Sequence, residues 1–157
     1  MRPLPPDEWK TLRDIRLAAL RDSPDLFFNS YSDEHEFDES DWRAEFNRGE
    51  WHIGERGGRS ISLLGCTRDV SIPDFARNLE YLWVSPEARN KGVAYSMVMH
   101  VLARLRDADV RTAFLWVLDG NEPAIRLYKR IGFVSSNHSQ PSEDRPGHWE
   151  RMHLNLT

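Results

Sequence analysis

Apolar residues recur near helical spacing after Pro5-Pro6-Asp7. Trp9, Leu12, Ile15, Leu17, Ala18 and Leu20 gather on one side and Asp22 to Pro24 closes the run, which predicts a helix over about residues 6–21. An acid-rich connection follows, and Ser40 or Asp41 is expected to start a second, short helix that ends near Gly49. Beyond Trp51 the pattern becomes short and alternating around Gly57-Gly58, predicting a hairpin with strands at about 50–56 and 59–68. Leu79-Glu80-Tyr81-Leu82-Trp83-Val84 reads as a strand stopped by Ser85-Pro86, because the residue before proline avoids the helical region.

Helical spacing returns from Gly92, where Val93, Met97, Val98, Val101, Leu102 and Leu105 mark one face of a helix to about Ala108. Residues 112–118 form another buried strand. Asn121 is placed to cap a helix carrying Ala124, Ile125, Leu127, Tyr128 and Ile131, with Gly132 at its left-handed end. Phe133-Val134 restarts a strand, residues 135–147 are polar and read as a loop, and His148 to Leu156 is the last strand. The order predicts an α+β fold, a mixed and mostly antiparallel central sheet flanked by helices, with a parallel βαβ core over 79–118 and a right-handed crossover.

A length of 157 residues, 39% hydrophobic and 29% charged, suits a single domain over 1–157, and no repeat or long linker divides it. No stretch reaches the roughly 20 apolar residues of a membrane span. The prolines and acids of Met1 to Lys10 do not form a secretory signal. With Cys66 as its one cysteine, the chain is expected to work in a reducing cytoplasm, free of membrane and of disulfides. A net charge of −4 argues against broad neutralisation of nucleic-acid phosphates.

Candidate chemistry begins at Arg89-Asn90-Lys91-Gly92-Val93-Ala94, between a strand and a helix start, where free N–H groups and the helix dipole favour an anion. The loop lacks the Gly-Lys-Ser/Thr of a nucleotide-hydrolysing P-loop and the three glycines of a dinucleotide fingerprint, so a pyrophosphate held in another way is expected. The following strand then leads into Asn121-x-x-Ala124-x-x-Leu127-Tyr128-x-x-x-Gly132-Phe133.

Through Leu82-Trp83-Val84-Ser85-Pro86, Arg89-x-x-Gly92-x-Ala94 and the Asn121 to Phe133 pattern, the chain resembles the GNAT superfamily of acetyl-CoA-dependent N-acetyltransferases over residues 79–134. Leu12-Arg13-x-x-Arg16-Leu17-x-Ala19-Leu20, followed by Asp22-Ser23-Pro24, is similar to the first helix of many members. Asn90 stands where many relatives carry glycine. The resemblance implies the GNAT fold, acetyl-CoA as acetyl donor without a metal, and direct attack by a primary amine of a small molecule or peptide. Leu82, Trp83 and Val84 would line the pantetheine arm, Arg89, Asn90, Lys91, Gly92, Val93 and Ala94 would cradle the pyrophosphate, and Asn121 and Tyr128 would close the other side.

The same resemblance implies Tyr128 as the acid that protonates the leaving thiolate and the Val84 N–H as a donor to the oxyanion. Glu80, a carboxylate inside an apolar strand, is the candidate base through a relaying water, with a structural ion pair to an arginine as the alternative. Some members that acetylate protein N-termini carry a glutamate where Trp116 stands here, which weighs toward small-molecule acceptors.

The acids at 33, 34, 36, 38, 39 and 41 are a candidate attraction for a cationic amine, or simply a solvated loop. Phe27, Phe28, Tyr31 and Trp42 either wall the acceptor pocket or pack the core. Histidines at 35, 52, 100, 138, 148 and 153 show no metal-ligand spacing; His138, before the last strand, is expected to be an ordinary surface histidine, with contact to an acceptor as the alternative. A noncatalytic acyl-CoA-binding module and a protein or aminoacyl-tRNA acetyltransferase remain alternatives, and a homodimer is allowed because the family often pairs.

Overall fold

A computed structural model describes residues 1–157. The chain forms β1 (Arg2–Pro3), α1 (Trp9–Asp22), α2 (Tyr31–Glu34), α3 (Glu39–Phe46), β2 (Gly49–Arg56), β3 (Arg59–Thr67), β4 (Ala76–Val84), α4 (Val93–Asp107), β5 (Thr112–Leu118), α5 (Glu122–Ile131), β6 (Val134–Pro141) and β7 (His148–Asn155). The strands make one seven-stranded sheet in the order β1-β2-β3-β4-β5-β7-β6. Only β4 and β5 run parallel, as the βαβ core over 79–118 predicted.

The hairpin turns where expected. Gly57 and Gly58 take φ of 57° and 75°, the two left-handed residues that a tight hairpin with the strands' own twist requires. Gly132 ends α5 at φ 118°, and Phe133 N–H closes back on the Tyr128 carbonyl at 2.9 Å.

Several boundaries differ from the sequence reading. A 3-10 turn at Pro6–Glu8 precedes α1, so the helix proper starts at Trp9. Helix α3 is started by Asp38, not by Ser40 or Asp41: Asp38 accepts from the Asp41 N–H while the Asp41 carboxylate accepts from the Asp38 N–H, a reciprocal cap of two acids. Strand β4 begins at Ala76, three residues early. The segment 135–147 is a loop only in its second part, because β6 continues to Pro141 as an edge strand against β7. Almost all of its residues are exposed, so it lacks the apolar alternation that marks a half-buried strand.

Two cores lie on opposite faces of the sheet. One gathers Leu64, Leu79, Met97, Val98, Val101, Leu115, Val117 and Tyr128 beneath α4 and α5. The other gathers Leu12, Ala19, Leu20, Trp42, Trp51, Ile53, Tyr81 and Trp83 beneath α1 and α3. Trp51 packs so closely on β3 that a Cβ at Gly65 would lie 2.5 Å from its ring, so the glycine is what admits the indole. Burying side chains of this size stabilises by roughly 1.5–3 kcal/mol each.

Candidate active site

β4 and β5 stay paired over four rungs, from Ala76↔Thr112 to Leu79↔Leu115, and then part. A bulge accompanies the divergence. β3 pairs with β4 at Leu63↔Trp83 and next at Gly65↔Glu80, so Tyr81 and Leu82 together oppose Leu64. Tyr81 sits at φ 60°, a conformation that costs a side-chain-bearing residue on the order of 1–2 kcal/mol. It is held there by its ring, stacked on Phe27 at 5.1 Å, and by its hydroxyl, which donates to Glu34 at 2.8 Å and accepts from Arg16 at 3.1 Å.

The parted strands open a cavity of about 450 Å³. Leu82, Trp83 and Val84 line one side, Trp116 to Leu118 the other, and Ala94, Asn121 and Tyr128 line it from the helices. Ser85 N–H donates to Ile61 O on β3, so by the alternation of an extended strand the Val84 N–H points to the opposite edge, into the gap.

At one end of this cavity is the loop before α4. None of the N–H groups from Asn90 to Tyr95 has a backbone acceptor. Asn90 and Gly92 both have positive φ, 60° and 79°, which turns successive amides toward a common side. A Cβ at Gly92 would meet nothing within 4 Å, so the space beside it is open to a ligand. These amides and the start of a 15-residue helix form an anion cradle. Arg89 lines the cavity, but its guanidinium is engaged: it donates to Val84 O at 3.0 Å and pairs with Asp22, which also accepts from the Trp83 indole at 3.0 Å. Lys91 reaches back to the Glu87 carbonyl at 2.8 Å. Val93 packs inward against the core beneath α4 and α5 and against a small cluster of Ile61, Val84 and Ala88.

Asn121 holds the position before α5 but makes no side-chain capping bond, contrary to expectation, so its amide is free at the cavity wall. Tyr128 is buried, and that burial pushes its phenol above the ordinary value. It therefore keeps its proton across the working pH range. Cys66 is also buried, its thiol pushed up to about 12 by desolvation, and it does not line the cavity.

Glu80 lines the cavity on the α1 side and pairs with Arg48 at 3.0 Å, with Asn78 Nδ2 donating to it at 3.3 Å. Arg48 also pairs with Glu45, and Glu45 with the buried Arg16, so Glu34, Arg16, Glu45, Arg48 and Glu80 form one chain of ion pairs from the second core to the cavity. Arg48, Asn78 and Trp149 are cavity residues that sequence reasoning missed. Arg16 did carry a signal, since it shares the apolar helix face of Leu12, Ala19 and Leu20.

Phe27 and Phe28 wall the cavity; Trp42 and Tyr31 do not. Trp42 is core, with the Arg16 guanidinium over its ring at 5.4 Å. None of the acids at 33, 34, 36, 38, 39 and 41 reaches the cavity. Asp33 bonds Ser30, Glu34 pairs with Arg16, Glu36 with His35, Glu39 with Arg43, and Asp38 and Asp41 cap α3. His138 lies outside, 5.7 Å from the Trp116 ring. No three His, Cys, Asp or Glu side chains converge as a metal-ligand set, and no helix is long and apolar enough to cross a membrane.

Residues 10–133 match the model of the Acetyltransferase (GNAT) family. Over 110 residues the chain is 31% identical to mycothiol acetyltransferase of Acidimicrobium ferrooxidans, an overlap of 62% of this chain and 35% of that one. The chain thus spans about a third of the length of this curated relative, 35%. Among solved structures, the acetyltransferase of GNAT family from Streptococcus pneumoniae superposes with a TM-score of 0.81 at 15% identity, covering 99% of this chain and 98% of that one. The structure of yncA from Salmonella typhimurium with its cofactor acetyl-CoA gives 0.80 at 15% identity, over 99% and 92%.

Proposed function

The chain belongs to the GNAT acetyltransferase family, and on that premise we propose that it transfers the acetyl group of acetyl-CoA to a primary amine by direct attack, with no covalent enzyme intermediate. The observation that carries this reading is the joining of an amide-lined anion cradle to a cleft between parted strands, with a buried neutral tyrosine inside it. Donor-set chemistry fits a pyrophosphate: six amides without backbone acceptors and an open Gly92 demand no cation to hold an anion.

Acetyl-CoA supplies the activated thioester carbon. In this reading the loop from Arg89 to Ala94 binds the diphosphate, with the Arg89 side chain bracing the loop against Asp22 and Val84. The free edge of Leu82 to Val84 bonds the pantetheine amides as an added strand would. The Val84 N–H, aimed into the gap, donates to the carbonyl oxygen as it gains charge. Asn121 closes the wall opposite. Tyr128, kept protonated by burial, donates its proton to the departing thiolate. Glu80 takes the ammonium proton through a water, and Arg48 holds its carboxylate in place.

Calorimetric titration with acetyl-CoA, followed by thiol-release assays with amines on the same sample, tests this function. Saturable binding and amine-dependent thiol release are expected. Binding without turnover of any amine would leave an acyl-CoA-binding module, and no binding by folded protein would overturn the reading.

A further inference from the structure

Leu79↔Leu115 is the last paired rung of β4 and β5, so Glu80 and Trp116 are the first residues beyond it on either strand. Leu79 and Leu115 point into the core beneath α4 and α5. Their successors therefore point to the opposite face, and a carboxylate and an indole flank one opening of the cleft.

Around that opening the walls are aromatic. Phe28 stacks on Trp149 with centroids 3.9 Å apart and stands edge-on to Trp116 at 6.5 Å. Yet Phe28 is 51% exposed, a large ring left at the rim of a cavity. Flat partners gain most from such a surface, through offset or edge-to-face contact.

Charge narrows the choice further. Glu80 is the one acid among the residues lining the cavity. The ion-pair chain it terminates holds three carboxylates, Glu34, Glu45 and Glu80, against two guanidiniums, Arg16 and Arg48. The ion-pair chain as a whole carries one more negative than positive charge, and Glu80 is its member that faces the cavity beside Arg48. A single ammonium balances that excess and gains a ring face for cation–π contact. A polyamine or aminoglycoside finds no second carboxylate, since every acid between 33 and 41 is engaged elsewhere. An acceptor bearing its own carboxylate finds Arg48 already shared between two glutamates.

We propose that the acceptor is an arylalkyl monoamine, a flat aromatic group on a short chain ending in one primary ammonium, seated against Trp116, Phe28 and Trp149 with its ammonium at Glu80. This rests on the acetyl-transfer reading above and names the class of molecule that reading leaves open.

The test compares 2-phenylethylamine, hexylamine and spermidine at saturating acetyl-CoA, by thiol release and by calorimetric binding to the protein with CoA. The expected kcat/KM for 2-phenylethylamine exceeds both others by at least about ten-fold. Trp116→Leu is expected to erase that preference through KM more than kcat. Phe28→Ala, at an exposed ring, serves the same purpose if Trp116→Leu does not fold. Equal or better turnover of hexylamine or spermidine would overturn the proposal and leave acetyl transfer standing. Preferential binding of 2-phenylethylamine without thiol release would uphold the aryl-amine site and overturn the acetyl-transfer reading. Binding of none of the three would overturn the proposed site.

Discussion

Arg16 Nη2 lies 2.6 Å from Glu34 Oε2, with side-chain exposures of 0% and 1%, and both groups touch the Tyr81 hydroxyl. Together they hold the residue that the bulge places at positive φ. Arg16→Met removes the cation and strands a buried carboxylate, a change that costs about 3–5 kcal/mol. Urea denaturation is expected to show this loss, with the double variant Arg16→Met/Glu34→Gln recovering part of it. A single variant as stable as the parent would remove the pair from the account of the bulge.

Gly92 offers a contrasting case, since added bulk there meets no neighbour. Gly92→Val should lower stability only by the cost of a left-handed side-chain residue, about 1–2 kcal/mol. Its larger effect is on acetyl-CoA, whose dissociation constant is expected to rise by about ten-fold or more as the side chain fills the amide cradle. Calorimetry on the folded variant reads both quantities, and unchanged affinity would place the diphosphate elsewhere.

Tyr128→Phe is expected to keep acetyl-CoA affinity while lowering kcat by roughly a hundred- to ten-thousand-fold, the range of general acid catalysis. Because burial raises the Tyr128 and Tyr81 phenols, the folded state holds their protons more tightly than the unfolded chain. Stability from these groups is complete below the ordinary tyrosine value of about 10 and is lost as pH rises above it. Denaturation midpoints between pH 9 and 11, on the order of one unit either side of that value, should fall less steeply in Tyr128→Phe. Turnover equal to the parent would end its role as the acid.

His52 works in the opposite direction. It lies buried in β2, edge-on to His100 at 5.4 Å and beside Glu50, which also pairs with Arg104. Desolvation pushes its imidazole down to about 4 despite the Glu50 carboxylate, and His100 and Arg104 add to the effect. Its depressed value means that the unfolded chain binds the proton first, so stability is lost as pH falls from about 6.5, the unfolded value, toward 4. His52→Gln should flatten the pH dependence of the urea midpoint across that window; an unchanged slope would assign acid sensitivity to other groups.

Most of the βαβ core was legible because its signals are local. Pro86 stops β4, Gly92 opens α4, and Gly132 ends α5, each by a backbone property of one residue. The start of β6 at Val134 was legible but its continuation to Pro141 was not, because an exposed edge strand such as Ser135 to Gln140 carries no apolar period. Neither was β1, whose two residues are a strand only through Ile53 and His52. The acid-rich segment misled for a related reason. Composition shows that Asp38 and Asp41 are acidic, whereas their reciprocal bonding depends on where α3 starts. Arg48 and Trp149 meet Glu80 and Trp116 only through the sheet order, which no spacing along the chain records.

Four rungs are all that join the two halves of the sheet, β1 to β4 on one side and β5, β7 and β6 on the other. Past Leu79 and Leu115 the seam is open, and cohesion passes to the helices that span it. A molecule lodged there and bonded to both edges would act as a rivet across the part of the joint that backbone pairing leaves open. Such a tie would add to the core beneath α4 and α5, which already joins Leu64 and Leu79 of one half-sheet to Leu115, Val117 and Met152 of the other.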